Sequence, residues 1–150
     1  MSNALIRPLQ PETPVFRAPP HNQEAEQALL GAILVNNEAL DRVSSFLQPR
    51  HFINPLHSRI YESVSQLIRG GKRATPITLK TYFENEVPVG DLTVPQYLGR
   101  LAANATTIIN AEDYGRTIQD LYLRRQLIDL GVVLGHASSK LAKQLPRASP

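Results

Sequence analysis

The chain contains no cysteine. That excludes a disulfide framework and thiolate chemistry, and it permits a reducing compartment. No run approaches the roughly 18 apolar residues that a membrane-spanning helix needs, and no signal peptide is visible. A cytoplasmic protein without a membrane role is expected. Acid is missing from one region only: residues 132–150, "VVLGHASSKLAKQLPRASP", hold no Asp or Glu. The net charge of +3 comes entirely from Lys140, Lys143 and Arg147 there, because residues 1–131 carry 13 basic and 13 acidic side chains. The body therefore lacks the basic excess expected of a protein whose main work is neutralising phosphates.

Catalytic motifs are missing too. "GGKR" at Gly70–Arg73 does not make a phosphate-binding loop, since Gln66 stands where the first glycine is needed and Arg73 replaces the Ser or Thr that would hold magnesium. His21, His51, His57 and His136 form no metal-ligand pair, and His51 and His57 are expected at a cap or on the surface. No serine lies in a G-x-S-x-G elbow. Glu24 and Glu26 point to different helix faces and read as first-turn charges that complement the helix dipole. No catalytic, cofactor-binding or metal-binding residue is assigned, and the chain is expected to be inactive as an enzyme by itself.

What is present is packing. Five of the 12 prolines lie in the first 20 residues and two more are Pro146 and Pro150, so both ends read as irregular and residues 1–18 as disordered. "PPHNQEAEQALLGAIL" then specifies a helix. Pro19 and Pro20 bar entry from upstream, Asn22 caps, and Ala25, Ala28, Leu29, Ala32 and Ile33 form one apolar stripe. "NNEALDRVSSFL" predicts a second helix with Leu40, Val43, Phe46 and Leu47 inward, ended by Pro49. "NPLHSRIYESVSQLIRGG" opens on the Asn54 cap with Pro55 in the first turn and closes on Gly70-Gly71. "TPITLKTYFENE" and "TVPQYLGRLAANA" give two further short helices. "VPVGDLTV" reads as a loop, because its prolines spoil a strand.

A longer helix is expected from Asn110 to Leu130, stopping before Gly131. Ala111, Tyr114, Ile118, Leu121, Arg125 and Ile128 repeat at the spacing of a coiled-coil seam with one arginine in it. Leu123, Leu127 and Leu130 add a second apolar row. A helix apolar on two sides needs two partners, so Tyr114, Ile118, Leu121, Arg125 and Ile128 are the candidate interface. Beyond Gly131 only a weak helix or disorder is expected, since Gly135 and the serine pair disfavour helix.

The opening segment, followed in order by "NNEALDRV", "HFINPLHSRIYESVSQLI", "YLGRLAANA" and "INAEDYGRTIQDLYLRRQLI", resembles the N-terminal domain of bacterial replicative DNA helicases of the DnaB family, over about residues 19–131. The resemblance implies an all-α fold: a compact head of short helices at 19–109, then a first hairpin helix at 110–131 and a divergent basic tail at 132–150. It implies a structural collar for DNA replication. In it, paired hairpins make dimers, dimers make a hexameric ring around DNA, and primase docks on the ring. ATP and magnesium would belong to a motor domain outside this sequence. The competing expectation is a free-standing helical nucleic-acid-binding domain that uses its basic tail.

Overall fold

The computed structural model describes residues 18–105 and 109–145. The segments expected to be irregular, residues 1–17 and 146–150, lie outside the described residues. In order the elements are α1 (Gln23–Val35), a 3-10 turn (Asn37–Arg42), a second (Pro49–His51), α2 (Pro55–Arg69), α3 (Pro76–Leu79), a third 3-10 turn (Lys80–Tyr82), α4 (Val94–Ala103) and α5 (Ala111–Gln144). The fold is all-α, as the sequence implies. "VPVGDLTV" contributes one isolated bridge, Val89 to Leu92, within a loop.

The punctuation acts as its chemistry dictates. Asn22 caps α1 by accepting from the Ala25 amide, and Asn54 caps α2 by accepting from Leu56 and His57. Thr75 and Thr93 open α3 and α4 as capping boxes, each with proline in the first turn. The second expected helix differs. "NEALDR" winds as a 3-10 helix, yet Leu40, Val43 and Leu47 are buried as their pattern requires. Pro49 does not simply terminate this segment; it starts the next 3-10 turn.

Helix α1 runs through the middle of the head. Leu29, Leu30 and Ile33 have no exposed surface, and α4 and α5 pack on α1. Two glycines set the closest approaches. A Cβ on Gly31 would stand 2.3 Å from the Leu101 carbonyl oxygen of α4, and one on Gly115 would stand 2.6 Å from Val43 Cγ1. Both lie below carbon van der Waals contact, so neither position admits a side chain without movement.

The long helix departs from expectation. It does not stop before Gly131 but continues through Gly131 and Gly135 to Gln144, 34 residues in all. Two isolated glycines cost about 1 kcal/mol each relative to alanine. A helix already nucleated by packing can absorb that, because each further residue adds a backbone hydrogen bond. At roughly 1.5 Å per residue the helix is about 50 Å long. Past Ile128 every described residue of it is exposed.

Candidate interaction helix and its anchor

The first half of α5 belongs to the head. Ala111 and Gly115 are buried against it, Ile118 is 1% exposed, and Tyr114 is half-buried beside the core. Leu121 is also half-buried. The Arg116 guanidinium lies 3.7 Å above the Phe46 ring, a cation–π contact at the rim. The seam proposed as an interface with another helix is therefore covered, from Tyr114 to Arg125, by the chain's own head. The repeat correctly marks a buried stripe, but the partner of that stripe is the 3-10 layer and α1.

Arg125 is a correction in kind. It was expected to carry its charge to the seam's edge. Instead its guanidinium donates to two backbone carbonyls, Pro20 O and His51 O, at 2.8 Å each. It joins α5 to the segment before α1 and to the 3-10 turn before α2. The forked, always charged guanidinium suits two acceptors from separate strands of chain. His51 lies beneath it, its ring 4.7 Å from that of Tyr122. His51 Nδ1 accepts from the Gln48 amide at 3.0 Å, which requires an unprotonated nitrogen. Burial, then Arg50 and Arg125, holds this imidazole below the ordinary histidine pKa. His51 does serve a cap, as expected, but from a buried position.

Beyond this anchor the helix is unpartnered within the chain. Ile128 is 52% exposed and Leu127 67%. Leu123, Leu127, Leu130, Leu134, Ala137 and Leu141 follow a 4-3-4-3-4 spacing, and all are exposed. This is a second seam at coiled-coil period, and it faces away from the head. So much aliphatic surface in one row marks an interaction face.

The sequence reading missed a polar core. Glu26 was assigned to the dipole of α1, and His57 to a cap or the surface. In the structure Glu26 is 2% exposed and His57 fully buried. Glu26 Oε1 lies 2.8 Å from His57 Nδ1, and the same carboxylate accepts from the Ile53 and Asn54 amides. Since a carboxylate accepts, Nδ1 carries the proton. His57 Nε2 meets the Tyr97 hydroxyl at 2.6 Å, and Gln27 donates to that hydroxyl at 3.1 Å. Burial raises the Tyr97 pKa, so the phenol stays protonated. The network ties α1, α2 and α4 with every member hydrogen-bonded. One signal was available: Glu26 precedes Leu29, Leu30 and Ile33 by three, four and seven residues, and His57 stands in the same relation to Ile60, Tyr61 and Val64. A charged or polar residue inside an apolar stripe calls for a buried partner. Among the described residues no group of three or more His, Asp or Glu side chains could hold a metal ion.

Comparison with known proteins agrees with this architecture. Residues 18–120 match the family model described as the DnaB-like helicase N terminal domain. The chain is 42% identical over 118 residues to the replicative DNA helicase DnaB of Rickettsia conorii, which covers 79% of this chain and 24% of that protein. The chain thus spans about a quarter of the length of such relatives. The crystal structure of the N-terminal domain of DnaB helicase from Mycobacterium tuberculosis superposes with a TM-score of 0.75 at 25% identity, covering 85% of this chain and 91% of that one. A DnaB-like replicative helicase, solved in a study of its interactions with primase, matches with a TM-score of 0.64 at 26% identity, over 77% of this chain and 27% of that one. Fold, order of elements and sequence agree, and the chain belongs to the DnaB-like helicase N-terminal domain family.

Proposed function

We propose that this chain acts in DNA replication as the collar domain of a hexameric replicative helicase, serving oligomerisation and primase docking, with no motor activity of its own. The observation that carries the reading is the exposed seam of α5, in a chain whose relatives are replicative helicases about four times its length. Tyr114, Ile118, Leu121 and Arg125 hold the helix to its head. Ile128, with Leu123, Leu127, Leu130 and Leu134, is offered to a helix of another subunit. ATP and magnesium would be handled by a motor domain of the longer protein, and the assembled ring would encircle DNA. Primase docking is taken over from the helicase studied for its interactions with primase. The setting proposed is the cytoplasm; no described helix is long and apolar enough to cross a membrane.

Sedimentation of the chain, with and without the cognate primase, tests this. Self-association, together with a heavier species on adding primase, is expected. A strict monomer at high micromolar concentration that ignores primase would overturn the proposal. An ATPase assay of the chain should read blank.

A further inference from the structure

A hollow of about 370 Å³ opens between the turn at Ser44–Pro49 and the last turns of α2. It lies apart from the α5 seam and from the Glu26–His57–Tyr97 network. Its floor is Tyr61 and Ser65, and its rim includes Ser44, Gln48, Glu62 and Arg69. Tyr61 donates to the Leu47 carbonyl at 2.9 Å, so its proton is committed. Burial pushes the phenol up to about 12, against the opposing charge of Arg69. The guanidinium field therefore reaches the floor of the hollow.

Ser65 is the unexplained feature. It is 4% exposed, and its hydroxyl is a buried side-chain atom without a hydrogen-bond partner. It stands close enough to Tyr61 to ease that phenol's ionisation slightly, but the pair does not reach hydrogen-bonding geometry. A buried hydroxyl left unpaired costs on the order of 1–3 kcal/mol. In a cavity wall it is also a donor ready for a ligand.

We infer that this hollow receives a single carboxylate, of the kind an Asp or Glu side chain of a partner protein presents. A carboxylate only accepts hydrogen bonds, and it meets donors here: the Ser65 hydroxyl on the floor and the Arg69 fork at the rim. Glu62 decides the charge. It precedes Arg69 by seven residues, roughly 10 Å along the helix. The resulting field tolerates one negative charge near Arg69 and opposes a second. A phosphodiester backbone would need several cations in line, and this lining supplies one.

Amide NMR of the full chain, titrated with N-acetyl-aspartate amide at constant ionic strength, tests the inference. Saturable shifts confined to residues 44–49 and 61–69 are expected. Arg69→Gln should weaken binding by at least about tenfold, as loss of a charge-assisted fork requires. Ser65→Ala should weaken it severalfold while leaving the free chain as stable or more so, since it removes an unsatisfied group. Shifts that never saturate, that spread over the surface, or that survive both substitutions would overturn the site. Tighter binding of inorganic phosphate would overturn the carboxylate assignment and point to nucleic acid.

Discussion

Glu26 and His57 stand 31 residues apart in the chain and meet at 2.8 Å, both buried, in a fold whose other central contacts are aliphatic. The carboxylate also holds the Ile53 and Asn54 amides, which shape the entry to α2. Glu26→Ala would leave an imidazole and two amides without partners. We expect a loss of about 3–5 kcal/mol in urea unfolding, the usual cost of breaking a buried pair from one side. Glu26→Gln keeps an accepting oxygen and should lose less. A loss under about 1 kcal/mol for the alanine variant would mean that water replaces the carboxylate.

Two glycines of the same helical character should respond in opposite directions. Gly31→Ala sets a methyl against the Leu101 carbonyl, and the overpacking should cost about 1–3 kcal/mol or more despite the better helix propensity of alanine. Gly131→Ala meets nothing within 4 Å. It should slow amide exchange around position 131 by strengthening the helix by up to about 1 kcal/mol. Equal effects in the two variants would contradict the packing of α1 on α4.

Stability should fall on acidification, in part through His51. Its folded pKa lies below the ordinary 6.5. As pH drops, the unfolded chain takes up this proton before the folded one does. The contribution is whole above the unfolded value and is lost as pH falls through that value to the folded one. His51→Gln retains an acceptor for the Gln48 amide and removes the titration. Urea midpoints measured between about pH 7.5 and 5 should slope less in the variant. An unchanged slope would place the proton elsewhere.

The exposed seam should govern association and not folding. Replacing Leu127 and Leu134 together by Asp changes two exposed side chains, so thermal unfolding of the head should stay within about 0.5 kcal/mol of the parent. Sedimentation should then show monomers where the parent chain associates. Retained association would move the interface off this seam.

The local elements were legible because their causes are local. Asn22, Asn54, Thr75 and Thr93 cap helices through their own side chains, within three residues. The stripe of α1 is buried because a period near 3.6 presents one face. The order of those segments also carried the family resemblance. The end of α5 was misread for a physical reason: propensity at Gly131 and Gly135 is worth about 1 kcal/mol per residue, too little to stop a helix that packing has started.

What the sequence by itself determined is therefore which segments are helical, where most of them begin, and which stripes are buried. Only the tertiary structure decided what each stripe is buried against. The repeat through Tyr114, Ile118 and Leu121 demands cover, and the chain's own head supplies it. Arg125 reaches Pro20 and His51 across separations of 105 and 74 residues. Glu26, His57 and Tyr97 come together from three helices. Hydrophobic periodicity states that a face must leave water, because burial is non-directional. Hydrogen bonds are directional, so the partner of a buried polar group becomes known only once the backbones are placed.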